Sequence, residues 1–264
     1  MNLLEFAQEC ARCAGDVLRR SYARGFSVAT KSAHHDLVTS ADLEAEKTIV
    51  KQISSKFPEH NILAEENNYP QTRSPFRWIV DPLDGTTNFS KGIPVFSVSI
   101  ALQKGSELIA GVVYDPLRDE LFAAQRGQGS FLNGRPLSVS TSDDLKEAVL
   151  FTGFHYDRGQ HMEETLAIIR RFFLAGIIGI RRTGSAALDL AYVAAGRCDG
   201  FWEHMLQPWD VAAGMLLVRE AGGRATDRNG LDIDPRASYT VASNGLIHRH
   251  MLAVIGDPAS VGGT

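Results

Sequence analysis

Apolar residues recur at helical spacing near the start of the chain (Leu3, Leu4, Phe6, Ala7, Cys10, Ala14, Val17, Leu18), predicting an amphipathic helix over about 2–22. A second helix is predicted over about 40–56, with Ser40 as its cap and Glu44 and Glu46 near the positive end of the dipole. Pro58 ends it. The intervening Lys31-Ser-Ala-His-His-Asp-Leu-Val-Thr39 is polar and irregular and reads as a mobile loop. Ile62-Leu63-Ala64 and Trp78-Ile79-Val80 read as short buried strands, separated by a polar surface loop over 67–77. From Val95 to Leu137 the period shortens to two, as in Phe96-Ser-Val-Ser-Ile-Ala-Leu102. Asp115-Pro116 and Asn133-Gly134 mark turns, so this stretch predicts a meandering antiparallel sheet. After Asp143 strands (near 149–152, 178–182, 200–202, 224 and 239) alternate with helices (162–174, 185–195, 208–221, 246–255). The expected organisation is one domain of two layered lobes around a shared cleft. An antiparallel-sheet lobe covers about 1–142, a mixed α/β lobe about 143–255, and a frayed tail 256–264.

Composition narrows the class of protein. The chain has 264 residues, 44% apolar and 22% charged, as an ordinary globular protein does. Its net charge of −4 contains no basic run of the kind that tracks nucleic acid. The N-terminus carries acids early and lacks a basic signal-peptide region. No apolar stretch reaches the ~18 residues that span a bilayer. A cytoplasmic location is expected. Cys10 and Cys13 form a CxxC inside a helical pattern, and with Cys198 they make an odd number. Packed thiols are expected rather than a zinc site.

The chemistry concentrates in Trp78-Ile79-Val80-Asp81-Pro82-Leu83-Asp84-Gly85-Thr86-Thr87-Asn88-Phe89. An apolar run stops at two aspartates spaced i, i+3 and enters a sequence suited to opening a helix. Hard oxygen ligands beside a helix start suit Mg²⁺ on one side and a phosphate on the other. By itself the segment also reads as an Asp-Pro turn followed by an Asp-Gly turn. Further acids lie at strand ends or helix starts in Asp36-Leu-Val-Thr-Ser-Ala-Asp42, Ala64-Glu65-Glu66 and Trp209-Asp210-Val211.

Together, in this order and spacing, these segments resemble the inositol monophosphatase family of Mg²⁺-dependent sugar-phosphate phosphatases, its bacterial inositol-1-monophosphatase branch in particular. The resemblance runs from the first helix to Ile255. It implies an α-β-α-β-α sandwich of the sugar-phosphatase type, two or three Mg²⁺ ions per site, sensitivity to lithium and a homodimer. It implies Glu65, Asp81, Asp84 and Asp210 as metal ligands, with the carbonyl of Leu83 as a further one. Thr86 would act with Glu65 on the attacking water, and its alternative is a helix-cap hydroxyl. The Gly85 and Thr86 amides would hold phosphate oxygens. Phosphate and polyol would also meet Gly184, Ser185 and Ala186, and Glu203 would accept hydrogen bonds from ring hydroxyls. The alternative for Glu203 is a solvated strand-edge residue. Lys31 and Asp42 would lie near the site. Glu66 reads as a neighbour of the ligands, and His34-His35 as surface histidines. Ala64 and His155 depart from the family pattern.

Other chemistries lack their signatures: there is no Gly-x-Ser-x-Gly elbow and no Walker loop, and Gly127-Gln-Gly129 precedes no helix. Histidinol-phosphate and fructose-1,6-bisphosphate phosphatases share the Asp-Pro-x-Asp-Gly-Thr core and remain alternatives. Arg181 and Arg182 could hold a distal phosphate or form surface ion pairs. A regulatory or binding protein that keeps the fold is the rival from another class.

Overall fold

The computed structural model describes residues 2–30, 37–154, 159–232 and 239–256. Lys31, the His34-His35 pair, His155 and the tail beyond Gly256 lie outside them. In chain order the elements are α1 (Leu3–Arg24), β1 (Val28–Thr30), β2 (Leu37–Thr39), α2 (Ser40–Lys56), β3 (Asn61–Ala64) and β4 (Phe76–Asp84). Next come α3 (Thr86–Ser90), β5 (Ser97–Lys104), β6 (Glu107–Asp115), β7 (Glu120–Gln125), β8 (Gly129–Leu132) and β9 (Arg135–Pro136). A 3-10 turn (Leu145–Glu147) leads to β10 (Val149–Thr152), α4 (Gln160–Leu174), β11 (Gly179–Arg181), α5 (Ala186–Ala194) and β12 (Gly200–His204). The chain closes with α6 (Pro208–Glu220), β13 (Arg224–Thr226), β14 (Tyr239–Ser243) and α7 (His248–Gly256).

Strands β3 to β9 form a seven-stranded sheet in sequence order, and a five-stranded sheet runs β11-β10-β12-β14-β13. Helices α1 and α2 bury their apolar stripes on the first sheet, around Trp78, Ile100 and Val112. Helices α5 and α6 pack between the two sheets, joining Val113 and Phe122 to Phe201 and Ala242. Helices α4 and α7 cover the outer face of the second sheet against Trp202 and Val241. The result is an α-β-α-β-α sandwich. Small residues let its middle layer close: a Cβ at Gly214 of α6 would stand 2.5 Å from the Cβ of Leu190 in α5.

Several local expectations are corrected. The cap of α2 is Thr39, whose hydroxyl accepts from the amides of Ala41 and Asp42, while the Ser40 hydroxyl accepts from the Ser27 amide. Glu46, placed by the sequence near the positive end of α2, is fully buried, and Leu37–Thr39, read as part of a loop, is a strand. Strand β4 does not stop at Asp81. It runs on to Asp84 through a register shift against β5, where Asp81 pairs with Ser99 and Asp84 with Ser97. In β5 the polar positions of the alternation are buried along with the apolar ones. Ser97 and Ser99 are buried, pairing with the Ser185 hydroxyl and donating to the Trp209 carbonyl.

Candidate active site

The register shift in β4 explains how two aspartates three apart can share a site. In a regular strand residues i and i+3 point to opposite faces. One extra residue restores the phase, and Pro82, which has no N–H to donate, is tolerated at such a bulge. Asp81 and Asp84 therefore line one cleft, joined by Glu65 from the end of β3 and Asp210 from the first turn of α6. The cavity holds about 480 Å³.

Each aspartate is pinned through one carboxylate oxygen. Asp81 Oδ1 accepts from the Leu83 amide at 2.9 Å. Asp84 Oδ2 accepts from the Ser185 hydroxyl at 2.6 Å and the Ala187 amide at 2.8 Å. Asp210 Oδ2 accepts from the Gln207 amide at 2.7 Å, as the inner residue of a capping box on α6. Burial first, and then repulsion from the neighbouring acids, raises the carboxyls of Asp81, Asp84 and Asp210. Asp81 and Asp210 stand well above the ordinary range, and Asp84 is pushed up to about 6 against the lowering pull of Ser185. A set of crowded oxygen donors without sulfur or imidazole fits a hard divalent cation, whose charge would relieve that repulsion.

Thr86 opens the short helix α3, but Gly85 is its cap residue, with a left-handed backbone at φ +98°. A Cβ there would stand 3.0 Å from the Val95 carbonyl. The Thr86 hydroxyl is not spent on capping. It lies 3.0 Å from Oδ1 of Asp42 and 3.0 Å from the Leu83 carbonyl. Asp42 is fully buried, and its Oδ2 accepts from the Thr39 amide at 2.8 Å and the Thr39 hydroxyl at 2.5 Å. Burial raises this carboxyl, and the Thr39 and Thr86 bonds oppose the rise.

Gly184, Ser185 and Ala186 border the cleft at the start of α5, and the Ser185 side chain is turned to Asp84 and fully buried. Glu203 lies on β12, in the interior of the five-stranded sheet, and lines the same cavity. Burial first and then Asp84 push its carboxyl up to about 8, eased by Arg182. Gly153 makes room for it, since a Cβ there would stand 2.2 Å from Glu203 Oε2. Arg182 borders the cleft with its guanidinium 5.9 Å from the Phe154 ring, whereas Arg181 turns back to the Ile180 carbonyl.

Several contributors escape sequence reasoning. Glu46 accepts from the Glu66 amide, Asn67 and Tyr69, each at 2.8 Å, and so anchors the loop after Glu65. Asn88 donates to the Val95 and Thr183 carbonyls, both at 2.8 Å, tying α3 to the loop before α5. Buried Asp189 accepts from Thr183 and also lines the cleft. Glu46 and Asn88 pair with residues about 20 and 95 positions away, so no local pattern announces them, and Asp189 meets the cleft only once α5 is packed. All three cysteines are reduced; burial pushes the Cys10 thiol up to about 12.

A five-layer sandwich with an acid-lined cleft at its strand ends defines a phosphoric monoester hydrolase of the sugar-phosphatase kind. The profile of the inositol monophosphatase family matches residues 1–257, and the chain belongs to that family. It is 45% identical to a Nus factor SuhB of Salmonella typhimurium, over 98% of this chain and 97% of that one. It is 44% identical to an inositol-1-monophosphatase of Mesorhizobium japonicum, with the same coverage. Among solved structures, the extragenic suppressor protein SuhB of Bartonella henselae superposes with a TM-score of 0.92 at 43% identity, covering 97% of this chain and 99% of that one. An IMPase/NADP phosphatase complexed with Mg²⁺ and phosphate superposes at 0.82 with 26% identity, covering 93% and 91%.

Proposed function

We propose that this phosphatase hydrolyses inositol monophosphate, or a closely related polyol monophosphate, in the cytoplasm with Mg²⁺ as its metal. The observation that carries the reading is the placement of Glu203 in the same cavity as four crowded carboxylates. A polyol acceptor then shares one pocket with an all-oxygen metal-binding set. Glu65, Asp81, Asp84, Asp210 and the Leu83 carbonyl would hold two or three ions. Bound there, Mg²⁺ supplies charge neutralisation for the phosphate, acidification of water and stabilisation of the leaving oxygen.

The chain's own groups do the rest. With its proton directed to Asp42, Thr86 Oγ1 turns a lone pair outward and accepts a hydrogen bond from the attacking water, which Glu65 also faces. The Gly85 and Thr86 amides orient the phosphate, and the positive φ of Gly85 lets the backbone approach it. Glu203 in its charged form accepts hydrogen bonds from ring hydroxyls. Arg182 moderates the negative charge at that end.

Phosphate release is to be measured on inositol monophosphate, histidinol phosphate and fructose-1,6-bisphosphate, with Mg²⁺, with chelator and with added lithium. The expected outcome is Mg²⁺-dependent, lithium-inhibited turnover highest on inositol monophosphate, abolished by Asp84→Asn and Asp210→Asn. Full activity in either variant overturns the metal assignment; a preference for another ester overturns the substrate. The similarity to relatives named Nus factors, as high as that to inositol-1-monophosphatases, supports a second reading, a regulatory protein-binding role. It would be tested by whether an inactive Asp84→Asn protein still complements loss of the wild type in its host.

A further inference from the structure

Beyond the carboxylate cluster, three side chains of another chemical kind meet between α4 and β12. His161 and Glu164 are three apart in α4 and share one face of that helix. His204 ends β12, directly after Glu203. One ligand atom from each of the three lies within 4.8 Å of the other two. His204 Nε2 is 3.8 Å from Glu164 Oε2, and the two imidazole rings are 5.6 Å apart between centroids. The surroundings hold this arrangement. The Tyr239 ring packs edge-on against His204 at 4.2 Å, and Arg228 takes the other Glu164 oxygen at 3.1 Å. The His204 side chain is 6% exposed and that of Glu164 27%, so one wall is buried while the helix side admits solvent.

We propose that His161, Glu164 and His204 form a site for a divalent transition cation of the Zn²⁺ class, separate from the Mg²⁺ carboxylates. Two imidazoles beside one carboxylate make a set that Zn²⁺, Co²⁺ and Ni²⁺ accept, whereas Mg²⁺ takes oxygen donors and leaves imidazole aside. Bonds of about 2.0–2.1 Å in a tetrahedron set ligand atoms roughly 3.3 Å apart. The His204–Glu164 pair is half an ångström or so from that spacing, and rotation of the partly exposed Glu164 and His161 side chains supplies the remainder. Water fills the fourth position. The ion ties α4 to the end of β12 beside Glu203, at the polyol end of the cleft.

The test uses untagged full-length protein stripped with chelator, equilibrated with micromolar Zn²⁺ in millimolar Mg²⁺, desalted and assayed for metal. One retained zinc per chain is expected, falling at least tenfold in occupancy in His161→Ala and in Glu164→Gln. Both substitutions lie on the partly exposed helix face and spare the core, and circular dichroism checks the fold. Co²⁺ in place of Zn²⁺ is expected to give the intense visible absorption of four-coordinate cobalt in wild type and to lose it in His161→Ala. Zinc retention that survives His161→Ala but disappears in Asp84→Asn would assign the ion to the carboxylates and overturn the proposal. So would a wild type that retains no zinc.

Discussion

Asp42 offers three acceptor contacts and no donor, and that polarity is what Thr86 depends on. An Asn at this position must keep its oxygen toward the Thr39 amide, which cannot turn, so its NH₂ group faces Thr86. The amide then donates to Thr86 Oγ1 and sends the hydroxyl proton elsewhere, so the carboxylate that would orient the hydroxyl and draw off its proton is lost. Asp42→Asn is therefore expected to fold with a melting temperature near that of wild type and to lose activity by about 10²–10⁴-fold, the scale of a lost acid–base contribution. Thr86→Val should match it in kcat with KM little altered; a variant of either kind with normal kcat would remove the hydroxyl from the reaction. Assayed above pH 8, where its carboxyl is charged, Glu203→Gln keeps shape and loses that charge. Hydrogen bonds to a charged partner contribute about 1.5–3 kcal/mol, so kcat/KM for inositol monophosphate should fall roughly ten- to a hundredfold. A small aryl phosphate, without ring hydroxyls, should be hydrolysed as before. At this scale the sequence is legible where residues act in a contiguous segment, as in 81–86. It is silent on Asp42 Oδ1 meeting Thr86, because 44 positions separate the partners and only folding joins them.

The elements carry their own lesson in β4 and β10. The apolar run around Trp78 predicts a strand correctly, but composition cannot show that pairing with β5 resumes past Asp81. Bulges are set by the partner strand, and the partner is distant in sequence. Helix ends proved more readable: α2 and α6 begin and end within a residue of the boundaries that their caps, Pro58 and Pro208 suggest. The placement of Gly153, just beyond β10, leads to a prediction about selectivity. A methyl group there collides with the carboxylate end of Glu203, a flexible tip that can rotate away. Gly153→Ala should thus leave thermal stability nearly unchanged while reproducing the Glu203→Gln pattern, a loss on polyol phosphates and none on aryl phosphate. A large drop in melting temperature instead would mean that the neighbouring backbone, not Glu203, gives way.

For the whole molecule the carboxylate cluster links stability, cation and pH. Asp84 pushed up to about 6 and Glu203 to about 8, from ordinary values of 3.8 and 4.5, hold protons in the folded state that the unfolded chain has released. Their contribution to stability is complete at low pH and is lost as pH rises through those folded values. Buried His248, lowered to about 4, acts in the opposite sense below its ordinary 6.5. Its effect cancels when melting is compared with and without Mg²⁺ at each pH. Mg²⁺ favours the charged carboxylates, so the stabilisation it gives should grow from about pH 5 to about pH 8. At a hundred times its dissociation constant one ion adds about 2.7 kcal/mol. A Mg²⁺ effect that is constant across that range, at fixed ionic strength, would count against a metal on these acids. The homodimer implied by the family resemblance is a separate expectation, to be checked by sedimentation at micromolar concentration.

The middle helical layer has a kinetic consequence. Glu65, Asp81 and Asp84 come from the seven-stranded sheet, Glu203 from the five-stranded one, and Asp210 from α6, wedged between them. Neither sheet can bring the cleft together until both have docked on that helix, and contacts so distant along the chain form late. During refolding from denaturant, helical ellipticity and burial of Trp78 should therefore recover first, with catalytic turnover trailing as the last signal to return.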